Sequence, residues 1–214
     1  MSVSFHLIAT SAKLEKMIKI VIASQNEGKI KEIKEILNLS QAELLDFHNF
    51  RSFPSYAEDK ESFRENAVDK AKNLSRWAGF PAIADDSGLE VDVLGGAPGV
   101  RSARFAGPKA SYQENNQKLF KELKGVPFSE RTARFKCVAV YIDLEGYLLI
   151  TEGILEGHIA ENPKGAKGFG YDPLFIPNGF KKTLAEIAPE KKNRISHRGQ
   201  AFRQLKDQLG KHLA

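Results

Sequence analysis

The sequence predicts an α/β fold with a mixed β-sheet flanked by helices, on two observations. In the first half, short β-branched apolar runs alternate with segments of helical periodicity, the pattern of strand–helix units. In the second half, two long β-rich runs, 131–142 and 147–155, are joined by the turn-forming stretch 143–146 and read as an antiparallel hairpin. Strand–helix units combined with a hairpin call for a sheet of mixed direction.

Taken in order, residues 18–23 form a continuous apolar run broken only by Lys19, as a buried strand would be. A small polar loop, 24–29 (Ser-Gln-Asn-Glu-Gly-Lys), follows. From Ile30 the period becomes helical, with Ile30, Ile33, Ile36 and Leu37 on one face and Lys31, Glu32, Lys34 and Glu35 outside. Strand, polar loop and helix in that order direct backbone N–H groups and the positive helix end at the loop, which makes an anion site with Asn26 and Lys29 as its polar contacts. It is not a Walker loop, because the earlier glycine would fall at Ala23 and Ile30 follows the lysine. A short strand is expected over 44–47. Ser62 and Glu65 form a capping pattern ahead of a helix whose buried stripe is Phe63, Ala67, Ala71, Leu74 and Ala78. Glu58 precedes that helix, and Asn66 and Lys70 lie one turn apart on one of its faces.

The apolar segment 82–84 then delivers two adjacent carboxylates, Asp85 and Asp86, at what reads as a strand mouth, with Ser87 and Gly88 expected to turn the chain beside a bound group. Strand neighbours point to opposite faces, so at most one of the pair can aim at a given site. By itself Asp-Asp-Ser-Gly is ordinary turn chemistry. A glycine-rich turn at 95–99, a basic and aromatic run at 100–107 and a second capping box, Ser111 with Glu114, come next. After the hairpin, the stretch 165–174 places three glycines around Phe169, Tyr171 and Asp172, a thin backbone and flat rings suited to a planar base. Residues 183–188 read as a short helix. Ser196 caps the last helix, which buries Phe202, Leu205 and Leu209 and carries His197 and Arg198 in its first turn, the wrong end for cations unless an anion compensates.

Composition bounds the class. With 214 residues, 42% hydrophobic and 28% charged, the chain can bury a substantial core, and no segment approaches the roughly 20 apolar residues of a membrane helix. A single cysteine, Cys137, excludes an internal disulfide and suits a reducing, cytoplasmic setting; its apolar neighbours predict an inert core thiol. The net charge of +5 favours anionic partners, and the scattered lysines favour a phosphate-binding cleft over a nucleic-acid arm. Residues 1–16 are expected to be an extension ahead of the fold, with Met17 as an alternative start.

Read together, the motifs at 23–29, 62–67 with Lys70 and Ala71, 85–89, 95–99, 168–173 and 195–199 strongly resemble the inosine triphosphate pyrophosphatase family, in order and from about Met17 onward. The resemblance implies a long mixed sheet, two lobes with the active site in the cleft between them within one domain over 17–214, and a homodimer. It implies Mg²⁺-dependent hydrolysis of non-standard purine nucleoside triphosphates (ITP, dITP, XTP) to the monophosphate and pyrophosphate. Residue by residue, Ser24, Gln25, Asn26, Glu27, Gly28 and Lys29 would hold the triphosphate, Asp86 would be catalytic, and Glu58 and Asp86 would bind Mg²⁺. Ser87 would touch the substrate, Phe169, Gly170, Tyr171 and Asp172 would cradle the nucleotide, and Lys192, His197 and Arg198 would meet base and phosphate. Ser24-Gln25 stands where Thr-Gly or Thr-Asn is common in the family.

The chemistry of the residues agrees. Phosphoanhydride cleavage needs cations against the phosphates, a metal and a positioned water. Lys29 and Lys70 are cations, and Glu58 and Asp86 are hard oxygen ligands suited to Mg²⁺. The rival from another class is a basic nucleic-acid-binding module built on the Phe-Gly-Tyr loop; a third reading keeps the pyrophosphatase chemistry with a different base preference.

Overall fold

The computed structural model describes residues 17–56 and 58–213; the expected extension over 1–16 lies outside the described residues. Six strands form one sheet, with β1 (Ile18–Ile22), β2 (Ala42–Leu45), β3 (Ala82–Val91), β4 (Thr132–Ile142), β5 (Leu148–Ile159) and β6 (Phe175–Pro177) in the spatial order β2-β1-β3-β4-β5-β6. β1 runs parallel to β2 and to β3; every later pairing is antiparallel. The mixed sheet is therefore as expected. Its hairpin is longer than the sequence suggested, because β5 continues through Ile159.

The helices are α1 (Glu27–Leu37), α2 (Phe63–Ala78), α3 (Tyr112–Glu122), α4 (Pro189–Ile195) and α5 (His197–His212). Strand alternation sorts the core. Ile20, Ile22, Ile83, Cys137 and Tyr141 pack with Ile33 of α1 and Phe202, Leu205 and Leu209 of α5 on one face. Val21, Ala82, Ala84, Val138 and Val140 pack with Ala67, Ala71 and Leu74 of α2 on the other. Beyond them, Leu89, Val91, Phe135 and Phe175 join Leu119 and Leu123 near α3 in a third cluster. β3 pairs along its whole length with β4, and β4 with β5, so these three long strands run past all three clusters. Cys137 is buried in the first core, and burial pushes its thiol pKa up, so the inert core thiol stands.

Several local expectations are corrected. The second strand is Ala42–Leu45, not 44–47, because Asp46 accepts the His48 N–H at 2.9 Å and starts a 3₁₀ turn. The first helix begins at Glu27, three residues before the apolar period shows, because Asn26 caps it. Ser87 and Gly88 do not turn: β3 continues through them to Val91, so the aspartate pair lies inside a ten-residue strand. A Cβ at Gly88 would lie 2.5 Å from both the Gly99 carbonyl and Ser102 Oγ; the glycine admits a close-packed loop and not a bend. Glu32, assigned to the solvent side of α1, is buried at 8% exposure. No described helix is long and apolar enough to cross a membrane.

Candidate active site

The polar loop after β1 is ordered by its own side chains. Asn26 Oδ1 accepts the Lys29 N–H at 3.2 Å, capping α1, and Ser24 Oγ accepts the Asn26 N–H at 3.1 Å. The rest of the first-turn N–H groups and the positive helix end remain at the loop. Lys29, in that first turn, places its ammonium 3.2 Å from Asp85 Oδ2.

Asp85 and Asp86 face opposite sides of β3, as pleating demands, and meet different company. Asp85 Oδ2 accepts from Arg198 Nη2 at 3.1 Å, Arg198 Nε at 3.3 Å and Ser87 Oγ at 3.0 Å. Arg198 Nη1 donates to Glu32 Oε2 at 2.7 Å, Lys192 Nζ lies 2.8 Å from Glu32 Oε1, and Lys192 also pairs with Asp172. The result is a buried series of alternating charges, Asp85–Arg198–Glu32–Lys192–Asp172, tying β3, α5, α1, α4 and the glycine-rich loop together. It supplies the anion that the N-terminal position of Arg198 required. Burial alone would raise the Asp85 pKa, but Lys29 and Arg198 outweigh it and hold the carboxyl well below its usual range; Glu32 is likewise held down against burial by Arg198 and Lys192. At the end of the series burial prevails, and the Asp172 pKa is raised despite Lys192.

On the other face, Asn66 Nδ2 donates to Asp86 Oδ2 at 2.9 Å and the Ser87 N–H donates to Oδ1 at 3.0 Å. Lys70, one turn from Asn66 on α2, lies 3.8 Å from Asp86 Oδ1 and donates to Glu58 Oε1 at 2.6 Å and to the Asp85 carbonyl at 2.5 Å. Arg104 donates to the Glu58 carbonyl and steadies its segment. Burial raises the Asp86 pKa, with Glu58 adding to it against Lys70 and Lys29. At Glu58 the same burial is overcome by Lys70 and Lys29, and the pKa is lowered. Glu58 and Asp86 thus converge on one ammonium. Among the described residues no group of three or more His, Cys, Asp or Glu forms a metal cage. Two hard carboxylates without a third suit a divalent ion that takes its remaining oxygens from other ligands.

These groups line one cleft, which brings Asn26, Lys29, Glu58, Asp86 and Ser87 together with Phe169, Gly170, Tyr171, Asp172, Lys192, His197 and Arg198. An adjoining hollow shares Asn26, Lys29 and Glu58 and adds Ser24, Gln25 and Lys70. Gly28 lies beneath Phe169, where a Cβ would come within 2.5 Å of the ring. The Phe169 ring also carries Lys192 Nζ at 4.9 Å and Arg198 at 5.5 Å. The Tyr171 hydroxyl is spent on the Ser102 carbonyl at 2.9 Å. His197 stacks on Phe135 with centroids 4.6 Å apart, and burial, reinforced by Arg198 and Lys192, lowers its pKa well below the usual value, so it is a neutral imidazole. Its Nδ1 is buried without a partner. Of the residues named from the sequence, Glu27 alone stands apart, exposed and 2.8 Å from His48. Glu32, Asn66, Arg104 and Tyr112 enter the site as contacts absent from the residue set named for it.

A helix N-terminus facing a pair of carboxylates and a ring-bearing glycine loop, across a cleft in a mixed sheet, defines an α/β protein built to hold an anion with a flat, apolar end. The comparisons make this particular. The Ham1 family model matches residues 20–208, and the chain belongs to that family. It is 46% identical over 194 residues to the dITP/XTP pyrophosphatase of Geobacter sulfurreducens, covering 91% of this chain and 98% of that one. It is 49% identical over 193 residues to the dITP/XTP pyrophosphatase of Methylococcus capsulatus, covering 89% and 96%. Among solved structures, a HAM1 protein from Coxiella burnetii superposes with TM-score 0.82 at 41% identity over 91% of this chain and all of that one. The Staphylococcus aureus Ham1 protein gives 0.80 at 36% identity, over 91% and 99%.

Proposed function

We propose that this chain hydrolyses non-standard purine nucleoside triphosphates, ITP, dITP and XTP, to the monophosphate and pyrophosphate, and so clears them from the nucleotide pool. The observation that carries the reading is the meeting of Lys29, Glu58, Asp86, Phe169 and Arg198, from five separate segments, around one cleft. The activity named for the Geobacter and Methylococcus relatives supports it.

In this reading the triphosphate lies against the loop formed by Ser24, Gln25, Asn26, Gly28 and Lys29, where the α1 N-terminus and the ammonium offset its charge. Glu58 and Asp86 would hold Mg²⁺, which would supply positive charge against the phosphates and polarise them toward attack. Lys70 sets the spacing of those two carboxylates, and Asn66 fixes the rotamer of Asp86. Asp86, held by Asn66 and by the Ser87 N–H, orients the attacking water and takes up its proton. Ser87 touches the phosphate end, and Glu27 serves the loop from outside the cleft. The base rests on Phe169, with Gly170, Tyr171 and Asp172 at its rim and Lys192, His197 and Arg198 at its polar edges. A donor opposite the six-oxo group of hypoxanthine or xanthine rejects adenine, whose six-amino group would leave donor facing donor at a cost of about 1–3 kcal/mol. A homodimer in the cytoplasm, without a stable nucleic-acid partner, completes the proposal.

Pyrophosphate release with Mg²⁺ across ITP, XTP, dUTP, ATP and GTP tests it. ITP and XTP should be turned over with the highest kcat/KM. Preference for dUTP, ATP or GTP would place the chain with a different base specificity, and salt-sensitive polynucleotide binding without turnover would favour the nucleic-acid rival.

A further inference from the structure

Tyr112 opens α3 and lies at the cleft mouth, 44% exposed, yet it is anchored across the opening. Asn26 Nδ2 donates to its hydroxyl at 2.7 Å, a bond spanning 86 residues that joins α3 to the capping loop of α1. On its other side the ring stands 6.0 Å from Phe169, centroid to centroid. The helix that presents it is fixed in place. Ser111 and Glu114 form a reciprocal capping box, Asn115 holds the Ala106 N–H at 2.8 Å and the Ala103 carbonyl at 3.1 Å, and Asn116 Nδ2 donates to the Gly170 carbonyl at 3.0 Å. A phenol that accepts from Asn26 keeps its own O–H free to donate, and among the described residues no acceptor takes that proton.

We infer that Tyr112 is a substrate-positioning residue whose hydroxyl donates to the sugar–phosphate stem of the nucleotide while its oxygen stays on Asn26. The inference rests on the nucleotide reading given above. Asn26 marks the phosphate end of the cleft and Phe169 the base end, and Tyr112 touches both, so the stem that joins triphosphate to base must pass under its hydroxyl. The bond is made alike in ground and transition states, so it contributes to KM and not to kcat.

Tyr112→Phe keeps the ring and deletes the hydroxyl. The expected result is a rise in KM for ITP of roughly tenfold, about 1.4 kcal/mol, with kcat and thermal midpoint unchanged. Competitive inhibition by IMP, which carries the stem, should weaken by a similar factor, whereas inhibition by inorganic tripolyphosphate should not. Unchanged KM and IMP inhibition in a variant of normal stability would overturn the inference while leaving the nucleotide reading intact. So would tripolyphosphate inhibition weakened as much as that by IMP. Wild-type protein that releases no pyrophosphate from ITP would overturn the reading and the inference together. Tyr112→Trp, which keeps a ring and places an N–H donor at a different reach, serves as a second variant and should recover less than half of the lost affinity.

Discussion

Asp85 and Asp86 are the same residue at adjacent positions of one strand, and their surroundings drive them in opposite directions. Asp85 meets a guanidinium, an ammonium and a hydroxyl at fixed distances, and its carboxyl is held far down the scale. Asp86 meets an amide and a more distant ammonium in a buried setting shared with Glu58, and its carboxyl is lifted. The difference teaches that pleating can divide a carboxylate pair into an anchor whose charge is spent on the fold and a partner whose charge is left for a ligand. The anchor serves the site indirectly, by holding Arg198 and through it Glu32 and Lys192.

The contrast can be broken by exchanging amide for acid at each position. Asp86→Asn should lower the rate of ITP hydrolysis by roughly 10²–10⁴-fold, the scale of general-base participation, with little change in thermal midpoint. Asp85→Asn should do the reverse in kind, destabilising the fold by about 3–5 kcal/mol because Arg198 keeps a buried charge that only Glu32 still answers, as denaturant titration would read. A variant of Asp85 with full stability would remove the anchor role. Glu32→Gln sharpens the comparison by cutting the same charge series further from β3. It should cost about 1–3 kcal/mol of stability and raise KM for ITP, since Arg198 and Lys192 both lose their shared carboxylate.

The smallest effect is on pH dependence. His197 has a depressed pKa in the folded chain, so below about pH 6.5 the unfolded state takes up a proton that the native state refuses. Stability should therefore fall as pH drops from about 7.5 to 5.5, by no more than about 1.4 kcal/mol per unit, and this slope should flatten in His197→Gln. Asp85, also depressed, adds a second loss only once the pH falls below about 4, the ordinary range of an unfolded aspartate. Unfolding free energies measured across pH 3.5–8 would separate the two steps.

Much of this was legible in the sequence because it is local. The strand–helix alternation, the caps at Ser62, Ser111 and Ser196, and the hairpin all depend on residues within a few positions of one another. The motif residues could be gathered through resemblance, and the structure brings most of them to one cleft. What periodicity concealed depends on distant partners. Glu32 looked solvent-facing because its stripe of helix is polar, yet the cation that buries it lies 166 residues away. The aspartates looked like a turn because aspartate is poor strand material, and the strand accepts Asp85 because Lys29 and Arg198, the latter 113 residues on, neutralise it. Tyr112 gave no signal, since nothing near it in sequence announces a bond to Asn26.

The most direct test of the account is a crystal structure of the chain with Mg²⁺ and the α,β-imido analogue of ITP. The account predicts the metal bound by the Glu58 and Asp86 carboxylates, with the phosphates against the N-terminus of α1 and Asp85 still paired to Arg198. Metal density on Asp85 in place of Asp86, or phosphates seated away from the Lys29 loop, would contradict it.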